Sequence, residues 1–227
     1  MNHIHLEACE STQDYLLELE KNDMQNYLIS TDHQKGGRGR RENKWISSDK
    51  SLCLSFTLNP AEVLTLTSAE LSVIVVEYFK HFYEIDLFVK WPNDILNSKD
   101  EKCGGILIQK VSSKLIVGIG LNFSPYKFEH FQIKAGTIFE KEIGLNNKEE
   151  SLKFYDFVSK NRKNKIEIRS NWESYCSHLN KTVSITEDSN SISGEFLGLG
   201  EFGEACLRVH EENQFRIHKA FNGSLRF

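Results

Sequence analysis

Apolar residues recur along this chain with two different periods, and the switches between them outline most of the expected elements. From Val63 onward, Val63, Leu66, Ala69, Val73, Val76 and Phe79 fall every three or four residues, with Leu71, Ile74, Tyr78 and Phe82 beside them. That spacing predicts a long helix whose apolar arc is wide enough to be buried on more than one side. Nearer the start, Ser11-Thr12 stand ahead of Tyr15, Leu16, Leu17 and Leu19, an N-cap opening a short helix. Strands are predicted at 27–31, at 52–56, where Leu52, Leu54 and Phe56 alternate with Cys53 and Ser55, and at 88–91, ended by Pro92. Segments 105–109 and 115–119 form an expected hairpin turned at 111–114, and 145–175 is charged and helix-prone. After Asn180 come five short β-rich runs, at 182–186, 193–197, 205–209, 215–218 and 224–227, punctuated by Gly194, Gly198, Gly200, Gly203 and Gly223.

This order does not alternate regularly, so it predicts an α+β fold with a mixed sheet flanked by helices rather than a doubly wound parallel sheet. The division expected is a main domain over 1–179 and a small β-barrel over 180–227. A unit as short as the second has a marginal core alone, so it is expected to dock on the first.

Composition narrows the classes. The 227 residues are 39% hydrophobic with 15 Phe, enough for a packed core. The 28 Lys+Arg against 32 Asp+Glu give a net charge of −4, which excludes coating of nucleic acid by bulk electrostatics but leaves a local basic patch open. Met1-Asn2-His3-Ile4-His5-Leu6-Glu7 has no cationic leader, and the apolar run at 71–79 is interrupted by Ser72, Glu77 and Tyr78. It falls far short of the roughly 20 residues that span a bilayer. A cytoplasmic protein with no membrane partner is expected. Cys9, Cys53, Cys103, Cys176 and Cys206 are scattered without a CxxC pair and read as small buried hydrophobes.

Candidate chemistry concentrates in four places. In Gln34-Lys35-Gly36-Gly37-Arg38-Gly39-Arg40-Arg41-Glu42-Asn43-Lys44-Trp45, glycines interleave with arginines. Glycine lets backbone N–H groups approach a ligand, and arginine offers forked donors to phosphate or carboxylate. Anchored between two strands, this loop suits a ligand-ordered lid, although a solvated basic loop or a single-stranded RNA contact fits its charge equally well. In Lys90-Trp91-Pro92-Asn93-Asp94, an amide and a carboxylate follow a strand end. They can hold a magnesium ion or orient an amine, or simply form a turn. In Lys102-Cys103-Gly104-Gly105, a lysine precedes two residues whose missing side chains leave room for a flat ligand. Gly118-Ile119-Gly120-Leu121-Asn122 repeats that theme more weakly.

Taken in order, these four motifs resemble biotin protein ligase (biotin–[acetyl-CoA-carboxylase] ligase), from Ser11-Thr12 to about Asn122, and the terminal β-module is similar in length and position to that family's SH3-like domain. The resemblance implies a catalytic domain like that of class II aminoacyl-tRNA synthetases. It implies activation of biotin with ATP and Mg2+ to biotinyl-5′-AMP, then transfer to one lysine of a biotin carboxyl carrier protein. Residue by residue it places biotin at Ser11, Thr12, Gln13, Gln34, Gly37, Arg38, Gly39, Arg40, Lys102 and Gly104, and ATP at Arg40, Arg41, Trp45, Lys90, Asn93 and Asn122. Lys102, Asp94 and Arg40 would be catalytic, and Asn93 and Asp94 would serve the metal. The family loop often continues Gly-Arg where Glu42-Asn43 stand here, so one phosphate contact is lost or passes to Lys44. Cys103, after the lysine, is expected to pack inward.

The resemblance also implies a monofunctional ligase without the DNA-binding domain some relatives carry, hence no DNA partner, and an exposed strand edge offers a homodimer surface. The rival enzyme is a lipoate or octanoate ligase or transferase of the same fold, disfavoured by the Gly-Arg-Gly-Arg-Arg loop followed by Trp45. The rival of another class is a non-catalytic RNA-binding module, disfavoured by net charge and by the absence of any role in it for Lys102-Cys103-Gly104-Gly105.

Overall fold

The computed structural model describes residues 1–21, 25–47, 50–125, 135–187, 190–211 and 214–227, with Glu42 described by its backbone alone. The expected substitution of a phosphate contact at Glu42 therefore lies outside the described side chains. The chain runs β1 (Asn2–Cys9), α1 (Thr12–Glu20), β2 (Tyr27–Gln34), β3 (Gly37–Arg38), β4 (Lys44–Trp45), β5 (Ser51–Leu58), α2 (Thr67–Tyr83), β6 (Phe88–Lys90), β7 (Asp94–Leu96), β8 (Lys102–Val111) and β9 (Lys114–Asn122). It continues through α3 (Asn147–Lys160), α4 (Lys165–Ser174), β10 (Thr182–Glu187), β11 (Asn190–Leu199), β12 (Ala205–Glu211), β13 (Gln214–Ala220) and β14 (Ser224–Arg226).

The main sheet has the order β1-β2-β5-β9-β8-β7-β6. β1 and β2 are parallel, joined through α1 as a parallel pair requires, and the other neighbours are antiparallel. This is the mixed sheet flanked by helices that the irregular order predicts. Alternation along its strands sorts the two faces. Leu52, Leu54, Phe56, Val117, Ile119 and Leu121 share one apolar core with the buried arc of α2. Ile29 and Ile116, on the opposite face, pack with Leu16 of α1. α1 is short, so it covers only part of its face, and the uncovered part becomes the site.

Three expectations need correction. β1 is a strand absent from the predicted ones, although Ile4, Leu6 and Ala8 alternate with His5 and Glu7. α2 begins at Thr67, not near Val63. The Thr67 hydroxyl donates to the Leu64 carbonyl at 2.8 Å and accepts from the Ala61 N–H at 3.0 Å, which closes 61–66 into a turn ahead of the helix. Asp94 is not in a turn but in β7, directly opposite Lys90 of β6.

The five tail strands form one antiparallel sheet, β13-β12-β11-β10-β14. Its inward residues Val183, Ile185, Phe196, Leu207, Ala220 and Leu225 belong to the same apolar core as α2. Trp91 Nε1 donates to the Gly203 carbonyl at 3.1 Å, and Arg169 donates twice to the Leu199 carbonyl. The small sheet is thus docked, as its size requires.

Behind the site, α2 is tied to the start of α4 by Glu70, whose side chain is fully buried. It accepts from Arg162 Nε at 2.7 Å, from Arg162 Nη2 at 2.9 Å and from the Lys163 backbone N–H at 2.9 Å. Removing one partner of a buried pair strands the other charge. Arg162→Ala should therefore lower unfolding free energy by about 2–3 kcal/mol, with the Lys163 N–H retaining part of the compensation. A urea denaturation curve checks this.

Candidate active site

The floor of the site is the α1-side face of β9 and β8. Gly118, Gly120 and Asn122 share this face with Ile116, two residues apart in turn. A Cβ on Gly118 would come within 2.6 Å of Gln13 Oε1, and one on Gly120 within 2.5 Å of the Trp45 indole. Hydrogen at those positions lets Gln13 and the indole lie against the strand. In β8 a bulge decides the arrangement. The pairing of β7 with β8 shifts register between Ile95 and Leu96, so that Ile95 opposes Gly104 and Leu96 opposes Lys102. Lys102 and Gly105 are three residues apart, and an unbroken strand would aim them at opposite faces. The bulge re-aims the lysine, and a Cβ on Gly105 would lie 3.6 Å from Lys102 Nζ.

A cavity of about 690 Å³ opens over this floor. That is within the usual range for a small-molecule site. Ser11, Thr12, Gln13, Gln34, Arg38, Gly39, Arg40, Arg41, Trp45, Lys90, Asn93, Asp94, Lys102 and Asn122 all line it. Gly37 and Gly104, expected at the ligand, do not. Gly37 pairs with Trp45 across the β3–β4 ribbon, and a Cβ there would meet the Trp45 carbonyl at 2.5 Å. Gly104 faces away, where a Cβ would meet Leu121 Cδ2 at 2.6 Å. Of the Gly104–Gly105 pair, Gly105 is the one that lines the cavity. Cys103 is fully buried, and burial pushes its thiol up to about 12, so it is inert packing.

At one end, buried hydroxyls and amides form a chain. Ser55 Oγ donates to Gln13 Oε1 at 3.1 Å and lies 2.9 Å from Thr12 Oγ1. The Thr12 N–H donates to Gln34 Oε1 at 3.0 Å, and Gln13 Nε2 donates to Gln109 Oε1 at 2.8 Å. Such a wall suits a small polar group of a ligand that both donates and accepts. At the other end, cations gather around one carboxylate. Asp94 Oδ1 lies 2.5 Å from Lys102 Nζ, and Asp94 Oδ2 lies 3.8 Å from Lys90 Nζ. Burial lowers the Lys90 pKa, Asp94 opposes that shift, and Lys102 and Arg226 add to it. Arg40 Nη1 donates to Asn93 Oδ1 at 3.3 Å, while Asn93 Nδ2 donates to the Ile106 carbonyl at 2.6 Å. Burial also lowers the Arg40 pKa, with Arg41 adding to the shift and Asp94 opposing it, yet a guanidinium stays charged. Arg38 is instead paired with Asp14 at 3.0 Å.

Asn93 and Asp94, expected to serve a metal, both have side-chain partners within the protein. Both Asp94 oxygens face ammonium groups and the Asn93 carbonyl faces a guanidinium, which is the arrangement of a counter-ion. Among the described residues no three His, Cys, Asp or Glu side chains converge as metal ligands.

The family model for the biotin/lipoate A/B protein ligase family matches residues 6–124, the segment that carries the floor, the Gly-Arg loop, Asp94 and Lys102. The chain belongs to this family. Its relatives include the bifunctional ligase/repressor BirA of Escherichia coli K12, 26% identical over 225 residues, covering 89% of this chain and 68% of that protein. The BirA protein of Bacillus spizizenii is 34% identical over 92% of this chain and 70% of its own length. Among solved structures, the biotin protein ligase from Aquifex aeolicus in complex with biotin and ATP is 31% identical, covers 99% of this chain and 98% of its own, and superposes with a TM-score of 0.82. Within the biotin/lipoate ligase family, this chain therefore stands with the biotin protein ligases.

Sequence reasoning missed several lining residues. Ser55 was within reach, because it falls on the two-residue period of a recognised strand, whereas Gly118 and Gly120 were singled out as a motif without being assigned to a ligand. Gly223, Ser224, Leu225 and Arg226 of the C-terminal sheet also line the cavity. They are distant in sequence from every other motif, and no local pattern marks them. No helix among the described residues is long and apolar enough to cross a membrane.

Proposed function

We propose that this protein joins biotin to ATP as biotinyl-5′-AMP and passes the biotinyl group to a lysine of a biotin carboxyl carrier domain. The observation that carries this reading is a cavity in which a polar wall, a bare glycine floor and a cluster of cations meet. The ureido ring of biotin, which both donates and accepts, matches the Thr12–Gln13–Ser55 wall. Its carboxylate and the nucleotide phosphates match Lys102, Arg40 and Arg41. Residues 1–179 would supply the chemistry and 180–227 the closing side of the cavity.

In the first step a biotin carboxylate oxygen attacks the α-phosphorus and the bond to the β-phosphate oxygen breaks, releasing pyrophosphate. Charge builds on the phosphates, and Lys102 and Arg40 are placed to meet it. The Trp45 indole lies against Gly120 with its ring centroid 5.7 Å from Lys102 Nζ, within reach of a cation–π contact. In the second step the incoming ammonium loses a proton, for which Asp94 is the carboxylate at hand. The amine nitrogen then attacks the acyl carbon and AMP departs.

Incubation with biotin, ATP, Mg2+ and a carrier domain, followed by mass spectrometry, tests the whole reading: the carrier should gain one biotinyl group, and an unmodified carrier overturns it. Calorimetry with biotin against lipoate separates the family's two substrate classes, and binding of lipoate alone would reassign the enzyme. Arg40→Gly removes a cation that both steadies the flap and faces the adenylate. The intermediate should then escape, and stray biotinylation of unrelated lysines should rise about tenfold or more over wild type in an avidin blot.

A further inference from the structure

Arg40 is held from two directions by neutral oxygens. Asn93 Oδ1 lies on the main sheet at 3.3 Å from Nη1, and Asn222 Oδ1 lies beyond the end of β13 at 2.6 Å from Nη2. The second bond spans 182 positions in sequence. Asn222 is itself fixed. Its backbone N–H donates to Glu187 Oε1 at 3.0 Å, and its side-chain oxygen also accepts from the Gly223 N–H at 2.9 Å. Gly223 has φ +136, and a Cβ there would approach Ile185 Cγ2 to 2.8 Å, so only glycine closes this loop so tightly. Ala220 and Leu225 on either side are buried in the core. The Asn222 oxygen is therefore presented by a rigid loop, and its two acceptor positions are both used.

The neutrality of these partners matters. A carboxylate would hold a guanidinium more strongly but would neutralise it, as Asp14 does for Arg38 at 3.0 Å. An amide carbonyl orients the fork and leaves its charge for an incoming anion. We propose that Asn222 is a positioning residue for nucleotide binding: it sets the Arg40 guanidinium over the cavity with its charge unspent, so that the C-terminal sheet acts on the first half-reaction through one side-chain oxygen. This rests on the ATP-dependent reading above.

The test is a set of variants read by ATP calorimetry, biotin-dependent ATP–pyrophosphate exchange and urea unfolding. Losing a hydrogen bond to a charged group should weaken ATP binding by about tenfold or more in Asn222→Ala, with biotin affinity unchanged. Asn222→Asp restores the contact, and with it the unfolding midpoint, yet ATP binding should stay about tenfold weak because the carboxylate spends the charge of Arg40. In an Arg40→Ala background, Asn222→Ala should add no more than about a twofold further loss. The proposal is overturned if Asn222→Ala binds ATP within about twofold of wild type, if Asn222→Asp recovers wild-type ATP affinity, or if the alanine penalty persists without Arg40. A wild-type protein that binds ATP but exchanges no pyrophosphate with biotin would instead remove the biotin reading, and the calorimetric comparison would still decide the role of Asn222.

Discussion

Lys102→Ala should reduce adenylate formation by about two to three orders of magnitude, the loss expected when one preorganised donor to developing charge is deleted. The bulge in β8 turns Lys102 toward the cavity beside Gly105, and Asp94 holds its ammonium at 2.5 Å. Few other side chains could substitute. Lys90 lies on the far side of Asp94 at 3.8 Å, and its burial disfavours the charged form. The side chain of Lys102 is about one-third exposed, so the fold should tolerate its loss. Pyrophosphate exchange with biotin and ATP measures the effect, and far-UV circular dichroism guards against unfolding. Lys102→Arg should recover little of the rate, since a planar fork is a poor replacement for a compact ammonium in the space between Trp45 and Gly105. Exchange at wild-type rate in Lys102→Ala would remove the lysine from the mechanism.

Asp94→Asn should separate the two half-reactions. The amide keeps the shape, and β7 still pairs with β6 and β8. It can no longer take a proton from the incoming lysine, so transfer should fall about 10²–10³-fold. Activation should fall far less, about tenfold or under, because an amide oxygen can still accept a hydrogen bond from Lys102 and hold it in place. Single-turnover assays of preformed adenylate with carrier, set against pyrophosphate exchange, resolve the two. Equal losses in both would mean that Asp94 serves only to hold Lys102. The location of Asp94 in a strand opposite Lys90, rather than in the expected turn, is what makes the residue rigid enough for such a role.

The elements were legible where periodicity is strong. The apolar arc of α2, the β8–β9 hairpin and the five tail strands follow from spacing alone, because burying one face of a helix or strand demands it. β1 carries a short alternation, Ile4, Leu6 and Ala8 against His5 and Glu7, that was not read as a strand. The start of α2 was misplaced because the Thr67 hydroxyl bonds, not hydropathy, end the turn before it. For the site, the residue types and their order were informative. Gly104 was chosen over Gly105 because the bulge that reverses their facing is a property of pairing between strands, not of either strand alone.

What the sequence by itself determined is local: which segments are strands or helices, where glycine permits close approach, and which cationic and amide side chains are available for anion chemistry. These follow from side-chain volume, backbone freedom and charge, all of which belong to single residues and near neighbours. Only the tertiary structure decided that Asp94 would stand between Lys90 and Lys102, that Arg38 would pair with a carboxylate while Arg40 would bond to amide oxygens, and that residues 223–226 would line the cavity. Those outcomes depend on strand order, on one bulge and on the docking of two sheets through a shared apolar core. Such contacts join positions far apart in the chain, and their geometry exists only once the core has packed.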